Sequence, residues 1–355
     1  MNLLGIGALF SGGCGIDALE AALENGWIPP QQTVAANGST RAVYQVDLDL
    51  VPDRNVLKKL RRADKLSKMA VLTAASALAD SRIDVAGKKV GIVLATAFGA
   101  HVTTFDFLDG IIDYGEANVS PTAFSNSVHN AAASYISSTL DIKGPTLTVT
   151  AFRFSFEEAL QLACCWLDQG RADLLLVGAV EQYGDVLGHV SQEKLQQPPD
   201  GRLQPFSLSN VGNVPGEGAL FFLLGGSGTA DGYCRIDTVS CGAAPADLSG
   251  ADLVILNSDG MHADESGYLA ALSDGQLVSA YSPLFGSIMT GSAFNLAAAA
   301  LMLNKQKLYA APQQMNPHDL EIVTATVDAR LDTVCSLNLN CAGEKAVVRL
   351  QRSEQ

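Results

Sequence analysis

The side chains of this protein that could do chemistry gather around one stretch, GPTLTVTAFRFSFEEALQLACC, residues 144–165. A β-rich apolar run, a break at 151–155 and a helical pattern read as strand, sharp turn and helix. The turn carries Arg153 and Ser155. A guanidinium stays protonated and is no nucleophile. Ser155 needs a base, and none of the five histidines has an evident path to it. Cys164 and Cys165 lie three turns into the helix beside Leu162, Ala163 and Trp166, and read as buried core thiols. His262 follows Asp259 by three residues in LNSDGMHADE, and His129 in SVHNAA reads as packing on a buried helix. No metal-ligand spacing is present. Gly216-Glu217-Gly218 reads as architectural, a glutamate fixing a neighbouring loop between glycines that allow close backbone approach.

The elements that must position these residues alternate between strand and helix. LLGIGALF is followed by a helix near 15–26, and a long helical segment spans about 55–80. KKVGIVLAT, GPTLTVTAF, ADLLLVGAVE and EGALFFLLG read as buried strands, nearly continuous in Val, Leu, Ile and Phe. After the Gly-rich link 225–232 a second set begins with YCRIDTVSCG, DLVILNS, a helix near 265–273 and LVSAYSPL. It closes with a helix near 287–304 and the strands DTVCSLNL and KAVVRLQR. The alternation predicts an α/β layered fold.

The 355 residues suffice for one large or two fused domains, and 48% hydrophobic with 17% charged residues supports a sizeable core. A net charge of −14 argues against nucleic acid or an anionic membrane as the main partner. No run has the length of a transmembrane helix. The apolar start lacks a basic flank, so no signal peptide is expected. The seven cysteines show no C-x-x-C spacing and read as free thiols of a cytoplasmic protein.

Four segments in order resemble the β-ketoacyl synthases of the thiolase superfamily. They are VSPTAFSNSVHNAAASYISSTLDIKGP, the strand–turn–helix with the following GRADLLLVGAVE, PFSLSNVGNVPGEGALFFLL, and SIMTGSAFNLAAAA. The resemblance implies a thiolase-like five-layered αβαβα fold of two pseudo-repeated halves, 1–226 and 227–355. In that family a cysteine and two histidines act, with a C-terminal glycine loop completing an oxyanion hole. Here the corresponding positions hold Arg153, Asp259 and Ser292, and the loop reads Asn340-Cys341-Ala342-Gly343. Ser287 replaces the lysine expected at the head of the last long helix, while Asn257, Gly260, Thr290 and Gly291 are kept.

The implied protein is a catalytically degenerate ketosynthase-β, or chain-length factor, of a type II polyketide synthase of the aromatic or aryl-polyene type. It has no catalytic centre of its own and pairs with an active ketosynthase through TLTVTAF and NSVHNAAASYI. It needs no cofactor, since phosphopantetheine arrives on the acyl carrier protein. Ungapped alignment of 99–121 puts His101, Thr104 and Leu108 on one helical face at the tunnel end, where bulk limits chain length. Arg54, Lys58, Arg61, Arg62 and Lys65 form a basic stretch expected to dock the acidic carrier or the partner. The rival readings are a stand-alone acyl hydrolase or transferase using Ser155 or a cysteine, and a homodimeric scaffold. A buried guanidinium needs a counter-charge, so Arg153 is expected to pair with Asp259, in competition with Glu157 and Glu158.

Overall fold

The computed structural model describes all residues except 35–37, 52–53, 199, 209–211, 230–231, 245, 263, 313–314 and 354–355, together with the side chains of residues 50 and 54. Ten strands carry the main sheet path: β1 Asn2–Phe10, β2 Val90–Thr96, β3 Thr146–Thr150, β4 Leu174–Glu181, β5 Gly218–Gly225, β6 Cys234–Gly242, β7 Leu253–Leu256, β8 Val278–Ser279, β9 Thr333–Leu339 and β10 Lys345–Gln351. Their spatial order is β8-β7-β9-β10-β6-β1-β5-β4-β2-β3. Each half therefore repeats one pattern. Its second strand runs parallel to its third and fourth, and its fifth lies antiparallel between the fourth and the first. The halves meet where Asn2 and Leu3 of β1 pair with Arg235 and Cys234 of β6.

The side-chain period of a strand builds the layers. In β4, Leu175, Val177 and Ala179 join one core while Leu174, Leu176 and Val180 join another. β5 divides in the same way, with Leu220, Phe222 and Leu224 on one side and Ala219, Phe221 and Leu223 on the other. The outer core is closed by helices α2 Lys65–Ser81 and α4 Ala131–Thr139. The inner core holds α5 Ser155–Asp168 and α7 Ser292–Lys305, sandwiched between the two sets of strands. α7 is buried at every position from Ser292 to Leu303, and its run of alanines fits between two sheets. Beyond β7 and β9, Val254, Leu256, Cys335 and Leu337 pack on Phe206, Leu248 and Tyr268 to form the last layer. Helices α1 Ile16–Asn25, α3 His101–Tyr114 and α6 Asp185–Lys194 complete the set used below.

Several sequence expectations shift. The helix expected at 55–80 is two, Arg54–Lys59 and α2, separated by a turn in which Asp64 caps α2 by accepting from the Ser67 N–H at 2.8 Å. The helix expected at 265–273 is only a 3-10 turn, Ser266–Tyr268, and LVSAYSPL shortens to β8 followed by another 3-10 turn. The last long helix starts at Ser292, five residues later than 287. β3 is an edge strand, half-open to solvent in the isolated chain, because among the described residues only β2 pairs with it. Its sequence, Thr alternating with Leu and Val, fits that half-open position better than the buried strand expected.

Glu217 is fully buried just before β5 and accepts from the N–H groups of Val46 at 2.7 Å and Tyr183 at 2.9 Å, and from the Lys65 ammonium. One carboxylate thus ties three segments to the sheet. Glu217→Ala should cost about 3–5 kcal/mol, since it leaves two N–H groups and a cation without their partner. Urea titration should show a lower midpoint at an unchanged m-value.

Candidate functional site

The topology brings the N-termini of the two inner helices together between the sheets. α5 follows β3 through a tight turn in which Phe154 adopts φ 65°, a left-handed conformation that is strained for a bulky residue. The turn presents Arg153 to the interior, where its side chain is 6% exposed. The loop after β7 supplies Asp259 from the other half, and Gly260 enables it. Gly260 has φ +70°, and a Cβ there would fall 2.2 Å from the Gly212 carbonyl oxygen.

Arg153 donates from Nη2 to Asp259 Oδ1 at 3.2 Å and from Nη1 to Oδ2 at 3.5 Å. This fork-on-fork pair is the expected one. Glu157, the competitor one turn along, instead accepts from Asn338 Nδ2 at 3.0 Å. Asn338 accepts from Asn257 at 3.1 Å, and Asn257 accepts from Asn295 on α7 at 3.0 Å. A buried chain of amides therefore links β9, the β7 loop and both inner helices. Asp259 is held from behind, its carbonyl accepting from Ser287 Oγ at 2.6 Å. Ser287 thus braces the loop from the place where a lysine was expected. Ser292 opens α7 with its buried hydroxyl beside the Glu157 carboxyl.

The electrostatics follow from burial. Desolvation works against the Arg153 charge, but Asp259, Tyr268 and Glu265 together outweigh it and the guanidinium is held more firmly protonated than usual. Glu265, absent from the sequence-level candidates, accepts from the Ser258 hydroxyl and from Gly260 N at 3.2 Å. Burial, then the neighbouring Asp259 charge, pushes its carboxyl up to about 7. Burial, then Arg153, pushes the His262 imidazole down to about 4. Burial also raises Glu157, with the Asn338 hydrogen bond opposing. The only sequence signal for Glu265 is its spacing of six residues from Asp259, which carries no meaning until the loop is folded. The centre is a fixed cation–anion pair surrounded by neutral-leaning acids and an imidazole that resists protonation. It offers proton donors and a permanent positive charge, but Arg153 cannot attack a carbonyl.

The family model "Beta-ketoacyl synthase, N-terminal domain" matches residues 6–227. The chain belongs to the β-ketoacyl synthase family. Nodulation protein E of Rhizobium meliloti (strain 1021) is 26% identical over 245 residues, 67% of this chain and 59% of that protein. The match thus spans less than two thirds of that relative. The fold is thiolase-like. The ishigamide ketosynthase/chain length factor superposes with a TM-score of 0.83 at 17% identity, over 99% of both chains. A type II PKS acyl-carrier protein in complex with its ketosynthase bound to the hexaketide gives 0.79 at 17% identity, again over 99% of both chains.

Within this ketoacyl synthase fold, His101, Thr104 and Leu108 all lie on α3. His101 is buried, its ring 5.9 Å from and edge-on to Phe98, which packs 5.6 Å from Phe152 beside the Arg153 turn. Thr104 donates within 3.0 Å of the carbonyls of Ala100 and Ser127. Leu108 is 44% exposed in the isolated chain. An apolar pocket of about 240 Å³ lies between Phe98, Leu187, Val190, Met261 and Ile288. Of the basic stretch, Lys58, Arg61 and Arg62 are exposed and the Arg54 side chain lies outside the described residues. The Lys65 ammonium is paired with Glu217. Cys164 and Cys165 are not core thiols either. They sit near the far end of α5, half-buried and exposed. Burial and Asp168 raise the Cys164 thiol, which suits no nucleophile.

Arg153→Met should cost about 3–5 kcal/mol by stranding the Asp259 carboxylate, and adding Asp259→Asn should recover most of it. Denaturant titration of the four-member cycle measures this coupling. Glu265 adds a pH dependence. Its folded value of about 7 lies above the ordinary 4.5, so its contribution is full below 4.5 and is lost as pH rises through 7. His262 gives the opposite slope, losing stability as pH falls from 6.5 towards 4. Stability–pH curves should therefore differ between wild type and Glu265→Gln by a fall confined to that rising window.

Proposed function

We propose that this chain is a non-catalytic ketosynthase-like subunit, a chain-length factor that pairs with an active ketosynthase and shapes the acyl tunnel during elongation on an acyl carrier protein. The observation that carries the reading is the Arg153–Asp259 pair, which occupies the nucleophile turn and the facing loop with two groups unable to form or transfer a thioester. The strained Phe154 turn and the braced β7 loop are kept around it, as in a scaffold whose value lies in shape. In this reading residues 1–226 form the half with the nucleophile turn and 227–355 the second half. The protein works in the cytoplasm without a cofactor of its own, its substrates arriving on phosphopantetheine.

The partner surface is the β3 edge with its neighbours. Leu147 on β3 is 45% exposed and Phe152 just after it 66%, apolar groups on one open sheet edge, and Phe124 and Val128 before α4 are 60% and 45% exposed. A ketosynthase laid along β3 covers these groups. The relatives support this assembly by their own composition, one a ketosynthase/chain length factor and one a ketosynthase with its carrier. Lys58, Arg61 and Arg62 then face the acidic carrier or the partner. His101, Thr104 and Leu108 on α3 line the tunnel end.

Co-expression with a ketosynthase carrying an intact Cys-His-His set should yield a one-to-one complex, and the ketosynthase without this chain should fail to elongate normally. His101→Trp or Thr104→Trp in the intact complex should shorten the products seen by mass spectrometry, and unchanged lengths in both would remove the tunnel assignment. Arg153→Cys alone should leave the chain inactive, because Asp259 and Ser292 remain where histidines act in the family. Elongation by that single variant would overturn the non-catalytic reading.

A further inference from the structure

Two arginines are buried among the described residues, Arg41 and Arg153. Arg153 has Asp259. Arg41 has no carboxylate partner among the described residues, although its side chain belongs to a residue only 4% exposed. Its Nη1 donates to the Tyr183 hydroxyl at 3.3 Å and its Nη2 to Gln192 Oε1 at 2.9 Å, both neutral acceptors. Its Nε is buried with no partner among the described residues. A guanidinium cannot shed its charge, so burial without an anion is costly.

Arg41 does not face packed protein. It lines a cavity of about 580 Å³ between the Thr40–Val43 strand and α6. Two features hold it there. The neighbouring Ala42 backbone is clamped by the Gln197 amide, which accepts from Ala42 N at 3.1 Å and donates to its carbonyl at 2.8 Å. On α6 the residue opposite is Gly188, where a Cβ would fall 2.4 Å from Arg41 Nη1 and 2.2 Å from the Tyr183 hydroxyl. Glycine is unfavourable inside a helix and stands where the guanidinium lies against the backbone. Ser191 and Asn213, joined by a 3.1 Å hydrogen bond, add polar atoms to the same cavity. Lys194 brings a second cation to the rim, and Glu193 beside it is the lining carboxylate.

We infer that Arg41 anchors a binding site for a small oxyanion, a carboxylate or phosphate group on a polar ligand, in the cavity between the Thr40–Val43 strand and α6. The cavity adjoins the apolar pocket beside Met261 and Ile288, sharing Ser191, Lys194, Leu195, Asn213 and Pro215 with it, and the inference stands whether or not the chain is a chain-length factor. The oxyanion supplies the missing counter-charge by accepting from the edge of the guanidinium that meets the cavity, with Lys194 drawing it in from the rim.

Calorimetric titration of the purified full chain with inorganic phosphate and with succinate, at ionic strength fixed with sodium chloride, tests it. Saturable one-to-one binding of at least one anion is expected, weakened about ten- to a hundredfold by Arg41→Gln, the weight of one charge-assisted hydrogen-bonding group. Lys194→Ala should weaken binding less. Binding of phosphate alone assigns a phosphorylated ligand, of succinate alone a carboxylate, and of both the oxyanion in general. No saturable binding, or equal binding by Arg41→Gln, overturns the site. Should Arg41→Gln fail to fold, wild-type crystals soaked in selenate decide. An anomalous peak within hydrogen-bond reach of Arg41 supports the site, and none there overturns it.

Discussion

A guanidinium keeps its charge wherever it is buried, and the interior where the two halves meet is arranged around that constraint. Arg153 enters from the β3–α5 turn of one half and Asp259 from the β7 loop of the other, so their pairing is also a contact between the halves. Neither residue can be moved independently. Asp259 is pinned by Ser287 behind it and by the positive-φ Gly260 after it, and Arg153 by a strained turn at Phe154. The amide chain from Asn295 through Asn257 and Asn338 to Glu157 runs alongside and gives Glu157 a partner other than the arginine, while Asp259 also accepts from Met261 N at 3.1 Å.

The centre is charge-balanced at the Arg153–Asp259 pair. The Arg153 guanidinium stays protonated there, while Glu265 and His262 are each pushed towards neutrality by burial beside it. The same fold uses another buried carboxylate, Glu217, for a mechanical task, joining the Val46 segment, the Tyr183 segment and α2. Charge in this interior serves position.

The surface is organised differently from the core. The first half ends its sheet on β3, and the apolar groups of that edge are uncovered in the isolated chain. A long open edge with Leu147 and Phe152 beside it is a pairing template, which proteins ordinarily blunt or cover. Membership of the β-ketoacyl synthase family and the placement of this edge next to the nucleophile turn make the edge and the centre parts of one surface problem: whatever covers β3 also approaches Arg153.

Much of this was legible in the sequence because it rests on local pattern. Continuous apolar runs marked β1, β2, β4 and β5, and the Asn257–Gly260 and Thr290–Gly291 landmarks set the register that put Asp259 opposite Arg153. Glu217 between two glycines was readable as a loop-fixing carboxylate. What local pattern could not convey was burial, which depends on neighbours far along the chain. An alternating β3 looks the same whether it is central or at an edge, and a cysteine on a helix looks the same facing a sheet or water. Lys65 was one cation among several until folding brought Glu217, 152 residues away, against it. Glu265 acquired its role only when a 3-10 turn, instead of the expected helix, folded it back under Asp259. The types and spacing of residues determined which charges had to be neutralised. Only the tertiary structure decided which partners were close enough to do it, because pairing energies depend on a few ångströms of separation and on the exclusion of water.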